Sequence, residues 1–313
     1  MIIVDFLSIK ILSIYFRKEP QMQTWKQRLV HLDHCRGAGW QVLYQILKDD
    51  PELKLLYSWP ETYWQRIFNH PSQNLASFLN DLLNPFLHNT YEYVLQSNIK
   101  VLTILDEEYP ESLKEIHQPP WILYCKGDTR LLNEETILAV IGTRKPTTYG
   151  IQVTNHLIPE IIQAGIPIVS GLAKGIDSHA QWQALHAGGK VIGVIGSGFH
   201  KMYPQENQHL ADEISQKGLL ITEYPPNMPP QKHHFPARNR IISGLSKSIL
   251  VIEGKKRSGT FITVEQGLNH GKDIFAVPGS LFSPESEGPN ELIRQGARVI
   301  QHAKDILEEW GIK

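Results

Sequence analysis

ILAVIGTRKPTTYGIQVTNHLIPEIIQAGIPIVSG, residues 137–171, decides how the chain is read. It opens on an aliphatic, β-branched run (137–141) and crosses a polar loop at Gly142-Thr143-Arg144-Lys145. Helical spacing follows over 153–164, and a second apolar run (167–170) ends at Gly171. Apolar runs without alternation on either side of a helix predict parallel strands covered on both faces. The same rhythm continues through runs at 191–195, 219–222, 248–253 and 273–277, with helical patterning between them, for example at 180–187 and 206–216. The fold class is therefore α/β, an extended Rossmann-like parallel sheet. Shorter β-branched runs at 101–105 and 121–124, separated by the turn Gln118-Pro119-Pro120, precede it.

Upstream of residue 98 the pattern changes. Apolar residues recur at helical spacing (Leu29 and Leu32; Leu43, Ile46 and Leu47; Leu75, Phe78, Leu79 and Leu82), punctuated by Gly37, Gly39, Pro51, Pro60 and Pro71. Residues 22–97 are expected to form a small all-helical domain and residues 98–313 the sheet domain. The start, MIIVDFLSIKILSIYF, contains Asp5 and Lys10 and is too short to span a bilayer, and no small-residue cleavage site follows it. Residues 1–21 are expected to be an extension ahead of the ordinary globular start at Met22.

Composition narrows the function classes. The 313 residues carry 31 Lys and Arg against 32 Asp and Glu and are 41% hydrophobic, which excludes disordered and collagen-like chains. Two cysteines far apart, Cys35 and Cys125, suit a reducing compartment, so a cytoplasmic location is expected. A net charge of −1 means that any binding of nucleic acid must come from a local concentration of cations.

In an open parallel sheet ligands bind outside the carboxyl ends of the strands. Here those ends are rich in glycine and polar residues: Gly142 and Thr143 with Arg144; Ser170 and Gly171 with Lys174; Gly196; and Gly254-Lys255-Lys256-Arg257-Ser258-Gly259-Thr260. Glycine lets backbone amides approach an anion, helix N-termini add partial positive charge, and Lys and Arg add full charges, so the crevice is expected to bind phosphate. Two nucleotide motifs fail. Lys201 stands where the third glycine of a dinucleotide fingerprint opening at Gly196-Ser197-Gly198 belongs, and Thr260 stands where a Walker loop needs its lysine. His31, His34 and Cys35 lie on a helical stretch without further ligands, and His233-His234 are adjacent, so no metal is expected. Nor does any catalytic constellation or cofactor motif appear.

Residues 232–257 hold Lys232, Arg238, Arg240, Lys247, Lys255, Lys256 and Arg257 against one acid, Glu253, a formal charge of +6. Within them, Phe235-Pro236-Ala237-Arg238-Asn239-Arg240 sets two guanidinium groups and an amide beside an aromatic ring. Stacking on aromatics together with phosphate-binding cations holds single strands without sequence preference. The plainer alternative is that Phe235 plugs the sheet and Arg238 pairs with an acid.

VIGTRKPTTYG (140–150), SGLAKGIDSHAQ (170–181), FPARNRIISGLS (235–246) and FAVPGS (275–280), in that order, resemble the DNA-processing protein A family, also called Smf, over residues 102–303. The segment GAGWQVLYQIL (37–47) is similar to that family's SAM-like helical domain. The resemblance implies a recombination mediator that binds and protects single-stranded DNA, forms a homodimer and loads the recombinase RecA in natural transformation. By the same resemblance Arg144 and Lys174 contact DNA phosphates, and Arg238, Asn239 and Arg240 line the same pocket. The loop that holds Lys255 and Lys256 is more basic than the family's usual strand end, and this charge makes both lysines further candidates for DNA contact. Ile262, Leu268 and Ile274 are either candidates for an exposed dimer surface or simply core residues. An enzyme alternative also resembles this sequence: Ser258-Gly259-Thr260 followed by Glu265 is similar to the phosphate loop and catalytic acid of nucleoside-monophosphate phosphoribohydrolases of the lysine-decarboxylase-like fold, with Lys256-Arg257-Ser258 in place of Pro-Gly-Gly. That reading requires Glu265 to face the crevice.

Overall fold

A computed structural model describes residues 24–68 and 73–312, so the expected N-terminal extension, residues 1–21, lies outside the described residues. The chain divides into two compact units between Ile99 and Lys100. The first is helical: α1 (Trp25–His34), α2 (Trp40–Asp49), α3 (Glu61–Ile67), α4 (Gln73–Leu82) and α5 (Thr90–Gln96). A capping box starts α1, with the Thr24 hydroxyl accepting from the Gln27 N–H while the Gln27 side chain accepts from the Thr24 N–H. Leu29, Leu32, Leu43, Ile46, Trp64 and Phe78 form the core of this unit. His31 is buried with them, its Nδ1 at 2.8 Å from the Tyr57 hydroxyl.

The second unit is built on nine strands: β1 (Lys100–Thr103), β2 (Ile122–Gly127), β3 (Leu138–Ile141), β4 (Ile168–Ser170), β5 (Val191–Val194), β6 (Leu219–Thr222), β7 (Ser248–Val251), β8 (Asp273–Ala276) and β9 (Arg298–Val299). Their order across the sheet is β1-β2-β6-β5-β4-β3-β7-β8-β9. From β6 to β9 every pairing is parallel, as expected from unbroken apolar runs that alternate with helices; β3 to β7 are buried along their whole length. The first two strands depart from the expectation of a parallel sheet: β1 pairs antiparallel with β2, and β2 antiparallel with β6. The connection from β1 to β2 carries only the four-residue helix α6 (Glu111–Lys114), too short to return the chain as a helical crossover.

Helices follow the parallel strands: α7 (Thr148–Gln163), α8 (Ile176–His186), α9 (Gln208–Lys217), α10 (His234–Leu245), α11 (Gly259–Asn269), α12 (Glu287–Arg294) and α13 (Ala303–Glu309). Helix α7 packs on α8, and α10 on α11. The strands run β3, β4, β5, β6 to one side and β7, β8, β9 to the other, so strand order reverses between β3 and β7. Such a switch point splays the two flanking loops and opens a crevice. No helix among the described residues is long and apolar enough to cross a membrane.

Candidate nucleic-acid interface

The crevice at the β3–β7 switch is a pocket of about 660 Å³. The loop after β3 contributes Gly142, Thr143, Arg144 and Lys145, and the loop after β7 contributes Lys255, Ser258, Gly259 and Thr260. Helix α10 contributes Phe235, Arg238 and Asn239, while Tyr203 and Lys232 stand on the rim. A larger hollow of about 760 Å³ runs along the β8–β9 edge, lined by Lys272, Asp273, Phe275, Arg298 and Glu309, away from the strand-end loops.

The cations of this pocket are of two kinds. Arg144, Lys145 and Lys232 are exposed, and their side chains have no hydrogen-bond or ion-pair partner among the described residues. Arg238 is 4% exposed and forms the floor: its Nη1 donates to the Gly171 carbonyl at 2.6 Å and to the Val194 carbonyl. Asp177, also buried, accepts from the Gly171 N–H at 3.3 Å and lies within the field of Arg238. Burial lowers the Arg238 pKa to about 10 against the pull of Asp177, and burial raises that of Asp177 against the pull of Arg238. Gly171 leaves room for this guanidinium, because a Cβ at that position would lie 2.6 Å from its nitrogens unless Arg238 shifted.

The loop after β3 hangs from the buried carboxylate of Glu253, which accepts from the Thr147 N–H (2.9 Å) and hydroxyl (2.5 Å), while the Glu253 carbonyl accepts from the Thr143 N–H (2.7 Å). Gly175, at φ +87°, presses on the same loop, and a Cβ there would meet the Thr143 carbonyl at 2.3 Å. Arg144 is thereby presented from a fixed backbone. Three buried polar atoms with no protein partner line the pocket: Arg238 Nε, Ser258 Oγ and Glu285 Oε2. The Tyr203 and Phe235 rings lie 5.5 Å apart at the mouth, Tyr203 half exposed.

The expected site residues therefore divide. Arg144, Phe235, Arg238, Asn239, Lys255, Gly142, Thr143, Ser258, Gly259 and Thr260 are brought together. Arg240 is not: it is buried and holds Glu223 through both ends of its guanidinium, with Nη1 at 2.6 Å, while Nε donates to the Gln118 carbonyl. Burial opposes its charge, but Glu223 outweighs that and its pKa is raised. Ser170, Gly171 and Gly196 are sealed off as well. The Ser170 hydroxyl donates to the Val140 carbonyl (2.6 Å), Arg238 caps Gly171, and the Phe235 ring covers Gly196. Lys174 is exposed but pairs with Glu206, and Lys256 turns to Glu291 at 3.6 Å. The +6 segment is thus not one patch, since two of its arginines are interior. Ile262 and Leu268 are exposed, whereas Ile274 is 7% exposed and belongs to the core. Glu265 is exposed and does not line the pocket, which removes the acid that the phosphoribohydrolase reading requires.

Tyr203, Lys145, Lys232, Asp177 and Glu253 are not among the site residues expected from the sequence. Asp177 sits inside a glycine-rich strand end already under consideration, and Tyr203-Pro204 follows another, so position at a strand end was the available signal.

Residues 100–311 match the family described as DNA recombination-mediator protein A. The DNA processing protein DprA of Bacillus subtilis (strain 168) is 49% identical over 214 residues, 68% of this chain and 72% of that protein. Its namesake from Streptococcus pneumoniae is 43% identical over 208 residues, 66% of this chain and 73% of that protein. The crystal structure of the S. pneumoniae protein superposes with a TM-score of 0.76 at 34% identity, covering 90% of this chain and 97% of that one. The DNA processing protein A of Helicobacter pylori, whose structure concerns its single-stranded DNA binding mode, superposes with a TM-score of 0.62 at 33% identity, covering 68% of this chain and 97% of that one.

Proposed function

The chain belongs to the DNA recombination-mediator protein A family, and from this we propose that it binds single-stranded DNA in the crevice between β3 and β7. The observation that carries the reading is the ring of unpartnered cations, Arg144, Lys145 and Lys232, around a pocket whose mouth holds the Phe235 and Tyr203 rings. The cations neutralise phosphates, amides at the start of α11 assist them, and the rings stack on bases, so sequence preference is slight. Arg238 acts beneath them by shaping the floor and holding the field positive. Lys174 and Lys255, each exposed beside a carboxylate, are secondary contacts. The single-stranded DNA binding of the H. pylori relative supports the same class of ligand here.

Beyond binding, the reading extends to a cytoplasmic mediator that protects a processed or incoming strand and hands it to RecA, in natural transformation where the cell takes up DNA. It acts as a homodimer whose two pockets share one strand, which raises avidity without new contacts. No catalytic step is assigned to it.

Fluorescence anisotropy of labelled single-stranded and duplex oligonucleotides across a salt series tests the binding. Wild type is expected to prefer the single strand. Arg144→Glu with Lys232→Glu is expected to weaken binding and to flatten the salt dependence by roughly 0.7 log units per log unit of salt for each phosphate no longer neutralised. Equal affinities and slopes for wild type and double variant would refute the site. Equal affinity for duplex and single strand would refute the ligand.

A further inference from the structure

The turn after β8 carries Leu281 and Phe282 at 87% and 97% exposure, the two most exposed large apolar side chains among the described residues of the α/β unit. Their exposure is not that of a loose loop. The Tyr149 hydroxyl donates to the Pro278 carbonyl (2.5 Å), and the Asn290 amide makes two hydrogen bonds to the Gly279 backbone (3.0 and 3.1 Å). Ser280 closes the tip, its hydroxyl accepting from the Phe282 N–H (3.2 Å) and its carbonyl from the Ser283 N–H (3.1 Å). A pinned turn that presents large apolar groups to solvent marks a recognition element.

Its position identifies what it meets. Strand β8 neighbours β7, and β7 neighbours β3, so the ends of β8 and β3, from which the turn and the Arg144 loop leave, stand two strand spacings, about 10 Å, apart on the same edge of the sheet. The Gly254 N–H donates to the Glu285 carbonyl (2.7 Å), tying the turn's far end to the basic loop. Lys255 borders the pocket, and Lys256 borders a shallower hollow of about 370 Å³ under Leu281. Arg257 beside them is exposed and has no partner among the described residues.

We propose that Phe282, supported by Leu281, stacks on a nucleobase of a single strand that leaves the pocket across Lys255 and Lys256. The hollow under Leu281 is otherwise lined by polar and charged residues, among them Lys256, Glu287, Glu291 and Arg294, so Leu281 and the adjacent Phe282 are too small for the apolar centre of a stable protein interface, which buries about 800 Å² on each partner. An aromatic beside cations is what a single strand requires. The proposal rests on the single-stranded DNA reading above, and extends the footprint of one subunit from the Tyr203–Phe235 mouth to the β8 turn.

The test titrates the full chain, its Phe282→Ala and Leu281→Ala/Phe282→Ala variants, and Arg144→Glu with oligothymidylates of increasing length. Both turn side chains are almost wholly exposed, so their removal leaves the core intact. The shortest oligomers, which fill only the pocket, are expected to bind wild type and the turn variants alike. Longer ones are expected to bind wild type about tenfold more tightly than Phe282→Ala, with an unchanged salt slope because every phosphate keeps its cation, and Phe282→Trp is expected to restore the gain. Turn variants equal to wild type at every length, while Arg144→Glu weakens binding at every length, would overturn the stacking step and leave the pocket reading standing. Wild type failing to bind oligomers of any length would overturn both. Loss of self-association in Phe282→Ala with unchanged affinity for every oligomer would overturn the nucleobase as occupant.

Discussion

His31 in the helical unit and Arg238 in the α/β unit are both buried ionisable side chains, 1% and 4% exposed, yet the two units hold them by different means. His31 is held neutral. Burial, reinforced by the neighbouring His88, lowers its pKa to about 3, and burial lowers that of His34 to about 4. Arg238 keeps its charge, because Asp177 and two main-chain carbonyls surround it. A group buried neutral contributes packing and becomes a liability when it must charge. A group buried charged projects a field, and its removal strands its partner. The difference separates a unit whose buried histidines serve packing from one whose buried arginine underlies the pocket proposed to bind DNA.

Removing the floor is the most direct way to break that contrast. Arg238→Ala leaves the Asp177 carboxylate and the Gly171 and Val194 carbonyls without their donor, and is expected to destabilise the α/β unit by about 3–5 kcal/mol. Urea unfolding followed by residue-resolved hydrogen exchange would show it; a destabilisation below about 1 kcal/mol would mean that water replaces the guanidinium at little cost.

Acid tests the other half. Above about pH 6.5 His31 and His34 are neutral whether the chain is folded or not, and their contribution to stability is complete. As pH falls below that value the unfolded chain takes up protons that the folded unit refuses, so the helical unit loses stability continuously down to its folded pKa values of about 3 and 4. His31 alone accounts for roughly 3 kcal/mol by pH 4. Exchange protection in residues 24–99 should fall across this range, and His31→Phe should blunt the fall. Protection that is flat from pH 6.5 to 4 would mean that the imidazoles are already charged in the fold.

The smallest expected effect sharpens the contrast within the pocket itself. Arg144→Ala should leave stability within about 0.5 kcal/mol of wild type, as an exposed and unpartnered side chain should, while still weakening the binding of single-stranded DNA. A destabilisation comparable to that of Arg238→Ala would make Arg144 a second floor residue.

Arg144 was legible in the sequence, whereas Tyr203 on the rim and the arrangement of the floor were not. Arg144 could be read because it follows an apolar strand and a glycine within four residues, a local pattern with one structural outcome. Arg238 and Arg240 share one helical turn and one composition, and no local signal distinguishes them. What separates them is contributed from far away: Gly171 after β4 admits one guanidinium beneath the pocket, and Glu223 after β6 captures the other. Glu253 entered the charge count only as one negative, whereas its carboxylate organises the loop that presents Arg144. In the sheet, the parallel strands were legible from their unbroken apolar runs. The antiparallel direction of β1 and β2 was not, because a strand buried on both faces has the same composition in either direction.

The place of β3 beside β7 also has a kinetic side. Leu138 pairs with Ser248, more than a hundred residues along the chain, so the two loops that make the pocket meet only after a long closure whose entropy cost precedes any contact that repays it. The strand pairs β3–β4 and β4–β5 can form earlier from nearer neighbours. A nascent chain that has folded through β6 therefore has Arg144 on a formed strand end but no facing loop, and the pocket proposed to bind DNA is complete only when β7 docks.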